Sequence, residues 1–165
     1  MPINTALLAE LKHEASNTRK MIERAPTDKL SWQPHEKSMK LGRLATHLAE
    51  LPGWIKRVMQ ADEFDIATSV FNPEGKENTE AILQVFDEKL GEAVSALECA
   101  SDDNLEALWT LRRGEQIMFQ LPRKVCLRNI AFNHLYHHRG QLSVYLRLLD
   151  VPVPGIYGPS ADETM

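Results

Sequence analysis

The stretch Asn133-His134-Leu135-Tyr136-His137-His138-Arg139-Gly140-Gln141-Leu142 decides how this chain is read. On a helix, His134 and His138 are one turn apart and about 40° from each other around the axis, so both imidazoles project from one face. Leu127 and Ile130 before them, and Gln141 and Tyr145 after them, continue the same stripe. A stripe of that make-up faces the interior of a helical protein, not solvent. Pro122 suits a first helical turn, so the helix is expected over about residues 122–149.

The pattern repeats upstream. Leu8, Leu11, Ala15, Thr18 and Ile22 recur at steps of three and four, which predicts a first helix over about 3–25, ended by Pro26. Ser38 offers a cap for a second helix, about 38–61, with the stripe Leu44, His47, Leu51, Trp54 and Val58. Pro52 interrupts its hydrogen-bond ladder and predicts a kink after Leu51. Residues 62–78 read as a loop with a turn at Asn72-Pro73-Glu74-Gly75. Thr79 can cap a third helix, about 79–101, lined by Ile82, Phe86, Leu90, Val94 and Leu97. Between Asp102 and Pro122 the pattern suggests a short helix and then an extended run through Trp109-Thr110-Leu111. The tail from Asp150 holds three prolines and two glycines before Ser160 and excludes regular structure. The expectation is one all-α domain over 1–165, a four-helix bundle with an irregular tail at 150–165.

Composition narrows the function classes. At 165 residues, 43% hydrophobic and 25% charged, the chain has the make-up of a soluble globular domain. A net charge of −4 and thin, interrupted basic stretches argue against a nucleic-acid partner. Cys99 and Cys126 lie in no CxxC motif, so a reducing compartment is the natural home. Neither a basic, apolar leader nor a run of about 20 apolar residues is present, and the expected location is cytoplasmic, without a membrane partner.

The histidines point to chemistry. His13 and His35 fall to solvent or loop, whereas His47 interrupts the apolar stripe of the second helix. A buried imidazole needs partners for its nitrogens, and neglecting them costs about 1–3 kcal/mol. If the second and fourth helices are neighbours, His47 meets the His134/His138 pair, and three imidazoles with one open position make a catalytic type of metal site. His137 is also within reach of that face, and periodicity does not choose between it and His138. The zinc-protease HExxH signature is absent, as are the paired Glu-x-x-His motifs of di-iron bundles, which leaves a mononuclear site. The competing reading is a metal-free bundle whose histidines are packed and hydrogen-bonded. Glu50, one turn past His47, is a candidate outer partner or base, and Gln141 and Tyr145 are candidate pocket residues. Arg139 and Arg147 are expected at the surface or a dimer contact. Asp162 and Glu163 can fold back with the tail over a helix end.

Leu44-Ala45-Thr46-His47-Leu48 and the run from Asn133 to Leu142 resemble the DinB/YfiT-like superfamily, over nearly the whole chain. Leu30-Ser31-Trp32-Gln33-Pro34 is similar to the loop after that group's first helix, and Ile156 to Glu163 resembles the tail of one DinB branch. The resemblance implies an up-down-down-up four-helix bundle, usually a homodimer, with zinc or nickel held by His47, His134 and His138. It also implies a metal-dependent enzyme acting on a small molecule. A thiol S-transferase or hydrolase using a low-molecular-weight thiol is one form of it, and a non-catalytic metal-binding stress-response or scaffold protein is the alternative.

Overall fold

The computed structural model describes residues 2–69 and 75–163. Helices dominate: α1 (Ile3–Glu23), α2 (Leu41–Glu50), α3 (Gly53–Gln60), α4 (Thr79–Glu98), α5 (Asp102–Glu106), α6 (Arg123–Leu127) and α7 (Asn133–Leu148). A 3-10 turn at Thr27–Lys29 follows α1, and a π-helical turn at Arg128–Phe132 joins α6 to α7. Among the described residues there are also three short strands: β1 (Glu63–Asp65), β2 (Leu108–Arg113) and β3 (Gln116–Pro122). Helix α4 packs against α1, α2 and α3, while α7 packs against α1 and α2. Among the described residues, no helix is long and apolar enough to cross a membrane.

Two apolar clusters fill the interior. One gathers Met21, Ile22, Leu44, Leu48, Phe86, Leu142 and Leu146 where α1, α2, α4 and α7 meet. The other gathers Leu7, Leu11, Val58, Leu97, Trp109 and Phe132 nearer the sheet. Trp54, Leu90 and Tyr136 pack against both. Leu7, fully inside, takes the interior position on α1 that the spacing assigned to Leu8, which is half-buried.

The expectation of an all-α protein is corrected by the sheet, ordered β1-β2-β3. The extended run from Trp109 is strand β2, antiparallel to β3 with Trp109 opposite Leu121. Strand β1 lies in what reads as a loop, and it pairs parallel with β2 through Glu63 opposite Thr110. A three-residue strand is too short to show alternation, and it forms here because tertiary contacts secure it. The Arg112 guanidinium reaches Glu63 Oε1 at 2.7 Å and Asp65 Oδ2 at 2.8 Å. Asp65 Oδ1 in turn accepts from the Gly114 amide at 2.9 Å, beside a turn that needs the positive φ of Gly114, 58°.

Other boundaries move for local reasons. Helix α2 starts at Leu41, not at Ser38, because backbone carbonyls act as its cap: Leu41 and Gly42 amides donate to Trp32 and Leu30 at 2.8 and 2.9 Å. Asn78, not Thr79, caps α4, accepting from the Ala81 amide at 2.8 Å. Thr79 instead donates to the Ala25 carbonyl at 2.6 Å and ties α4 to the end of α1. Helix α4 ends at Glu98, and Ser101 opens α5 through a capping box with Asn104. The chain breaks at Leu51 and Pro52, as the missing proline amide requires. Asn72, Pro73 and Glu74 of the expected turn lie outside the described residues. Gly75 packs so tightly that a Cβ there would sit 2.6 Å from the Gly42 carbonyl carbon.

Candidate metal centre

Helix α2 supplies His47 and α7 supplies His134 and His138, and the packing of α2 on α7 brings them together. His47 is held in place by buried neighbours on both sides, Ala45 and Thr46 before it and Leu48 after it. Thr46 Oγ1 also accepts the Lys76 amide at 2.9 Å, which pins this turn of α2 to the segment before α4. On α7 the buried residues Leu135, His138 and Leu142 form the anchoring stripe. Just before α7 the π-helical turn widens the backbone, so that the Asn133 amide bonds back to Arg128, five residues earlier.

One nitrogen from each of the three rings lies within 4.8 Å of the others. His47 Nε2 and His134 Nε2 are 3.3 Å apart, and the His138 ring centroid is 4.6 Å from each of the other two. His138 is buried, whereas His47 and His134 are half-buried, so the cluster has a covered floor and an accessible side. His137 is exposed and is not one of this set, although its ring centroid is 4.8 Å from that of His138.

Burial pushes all three imidazoles toward the neutral form. His47 is lowered furthest, to about 3, first by burial and then by the neighbouring His138, His134 and Arg43. Burial also lowers His134, opposed by a hydrogen bond with the Ile130 backbone, and it lowers His138, opposed by the bond with Gln141. Neutral imidazoles keep a lone pair free, which is the state a metal ion requires.

The surrounding residues divide. Gln141 Oε1 lies 2.7 Å from His138 Nδ1. Glu50 Oε2 lies 4.0 Å from His47 Nδ1 and 3.1 Å from Arg43 Nη1, placing a carboxylate and a guanidinium beside the same ligand. Arg43 escaped the sequence reading although its spacing, one turn before His47, was the available signal. Tyr145, a candidate pocket residue, donates to the Met39 carbonyl at 3.2 Å and meets the Trp32 ring edge-on, holding the loop before α2.

Arg139 is a second correction. It is buried at 3% exposure, not at the surface. Its guanidinium pairs with Glu14 at 2.6 Å and donates to the Glu14 carbonyl at 3.2 Å and Thr18 Oγ1 at 3.1 Å. Tyr157 from the tail joins the network, contacting Arg139 and donating to Glu14 Oε2 at 2.7 Å. One side chain thus fastens α7 to α1, and the tail to both. Arg147 is exposed, and Asp162 folds the tail back onto it at 2.6 Å. Asp162 also accepts the Val153 amide at 2.8 Å, and Glu163 accepts that of Gly155 at 2.9 Å.

These features define a mostly helical protein with a three-histidine cluster able to hold a metal ion. The DinB family model matches residues 1–164, and the chain belongs to that family. The uncharacterized protein YrdA of Bacillus subtilis (strain 168) is 25% identical over 162 residues, covering 94% of this chain and 89% of YrdA. A DinB-like protein from Bacillus cereus ATCC 10987 has a solved structure that superposes with a TM-score of 0.73 at 22% identity, covering 94% of this chain and 98% of the other. The DinB-like protein YjoA of Bacillus subtilis also gives 0.73, at 17% identity and 94% and 99% coverage. At those identities the two structures speak for the fold alone.

Proposed function

We propose that His47, His134 and His138 hold one divalent metal ion, zinc or nickel, and that the protein is a metal-dependent enzyme of the DinB type acting on a small molecule. The observation that carries this reading is the convergence of three neutral imidazoles, with two Nε2 atoms only 3.3 Å apart. Two lone pairs facing each other at that distance need a proton or a cation between them. The donor set fits a borderline metal, because neutral nitrogens bind zinc or nickel readily and suit calcium or magnesium poorly.

His47, His134 and His138 would hold the ion, which would supply Lewis acidity able to lower the pKa of a thiol or water at neutral pH. The chain's own residues do the rest. Three converging protein ligands, among the described residues, are the number that leaves a coordination position for a small molecule. The half-buried rings of His47 and His134 give that molecule a way in. Glu50 stands beside His47, and Arg43 steadies its carboxylate. The reaction class proposed is thiol-dependent S-transfer or hydrolysis, with a low-molecular-weight thiol as co-substrate, as the resemblance to the DinB/YfiT-like group implies. The reading includes an up-down-down-up bundle made of α1, α2–α3, α4 and α6–α7, and a homodimer. Val144 and Leu148, exposed and one turn apart on α7, support the second of these.

Metal content by inductively coupled plasma mass spectrometry, on protein purified without a histidine tag, tests the centre. The parent should carry about one equivalent, and His47→Ala and His138→Ala should each lose it. A parent that stays metal-free and takes up neither zinc nor nickel would end this reading. Metal-loaded protein without turnover across a panel of thiol-transfer and hydrolysis substrates would favour a non-catalytic metal-binding scaffold.

A further inference from the structure

We infer that Gln141 is the positioning residue of this centre: its side-chain oxygen holds His138 as the Nδ1–H tautomer and leaves Nε2 to face His47 and His134. The inference rests on the reading that the three histidines hold a metal ion.

The geometry is specific. Gln141 follows His138 by three residues on α7, so the two side chains lie on one helix face. Its Oε1 is 2.7 Å from His138 Nδ1, and an amide oxygen can only accept, so the imidazole nitrogen must be the donor. A neutral ring with its proton on Nδ1 has its lone pair on Nε2. Gln141 is itself exposed, while His138 is buried, so core packing does not explain the placement of the amide. It reaches inward from solvent to engage a buried nitrogen.

His134 is anchored in a parallel way. Burial lowers its pKa, and a hydrogen bond with the Ile130 backbone, one turn back, opposes that shift. Its Nε2 is the nitrogen facing His47, leaving Nδ1 for that bond. In both histidines of α7 a nitrogen is engaged from outside the cluster, and at His134 Nε2 is the atom that meets His47 at 3.3 Å. At His47 the corresponding Nδ1 lies 4.0 Å from Glu50 Oε2, beyond hydrogen-bond reach, with the carboxylate drawn to Arg43. Orientation of the centre thus depends on the α7 pair, and in that pair Gln141 is the one side chain whose replacement alters an anchor without altering the backbone.

The test uses the full chain in two measurements. In metal-free protein at neutral pH, long-range nitrogen–proton correlation spectra should show His138 as the Nδ1–H tautomer, and Gln141→Leu should convert it to a mixture. In zinc titrations against a chromophoric chelator, Gln141→Leu should bind zinc about 10–100-fold more weakly than the parent, the range found when an outer partner of a ligating histidine is removed. Gln141→Glu, whose carboxylate accepts from the same N–H, should retain or tighten binding. A parent His138 found as the Nε2–H tautomer would overturn the inference, and so would a Leu variant binding zinc as tightly as the parent, or a Glu variant as weak as the Leu one. A parent that binds no zinc but shows the Nδ1–H tautomer would sink the metal reading while upholding the role of Gln141.

Discussion

His47 is the residue at which the cost of building this centre is most visible. In the unfolded chain its imidazole takes up a proton near pH 6.5, whereas in the folded protein burial and two neighbouring imidazoles hold that protonation down to about 3. Between those values the unfolded state binds more protons, so stability falls as pH is lowered through that window. The metal-free protein should therefore show a lower urea midpoint at pH 5 than at pH 7.5. His47→Gln should show a smaller drop. An equal drop in both proteins would mean that other groups govern the acid sensitivity. The same residue was visible in the sequence, since a histidine within an apolar stripe must find partners. Which partners it finds depends on atoms 87 residues away, at His134.

At the scale of the element, α7 does two jobs with alternate faces. His134 and His138 face α2, while Arg139, one position on, turns into α1 and joins Glu14 and Thr18. A charge so fully buried is tolerated because its donors are met by a carboxylate, a carbonyl and two hydroxyls. Removing one partner of such a pair strands the other, so Arg139→Leu should cost about 3–5 kcal/mol in urea denaturation, with the Glu14 carboxylate left under-satisfied. A loss below about 1 kcal/mol would show that water reaches Glu14 and that the joint matters little. The sequence reads Arg139 as a surface residue because arginines are rarely buried unless paired, and its partner Glu14 lies 125 residues away in the chain.

For the whole molecule, the histidine cluster spans segments that share no local contact: α2 from the first third of the chain and α7 near its end. A ligand of the native cluster alone stabilises the entire fold, by about 2.7 kcal/mol when present at 100 times its dissociation constant. For a chain of this size that should raise the melting temperature by roughly 5–10 °C on zinc addition. His134→Ala should abolish the rise. An unchanged melting temperature in the parent would return the histidines to the role of packed core residues. The three-stranded sheet sits against the second apolar cluster through Trp109, Phe64 and Phe119, so the sheet and the helices share one interior.

Periodicity in the sequence was enough to determine the long helices, the break at Pro52, the inward face of the His134/His138 pair and the anomaly of His47. Those are local properties, written in the spacing of apolar side chains and in proline's missing amide. Tertiary structure decided the rest: the β1 strand that Arg112 and the packing of Phe64 secure, the start of α2 under the Leu30 and Trp32 carbonyls, and the burial of Arg139. It also decided that His138, not His137, meets His47. Each of these depends on groups distant in sequence arriving at hydrogen-bond range, and a one-dimensional pattern does not encode that distance.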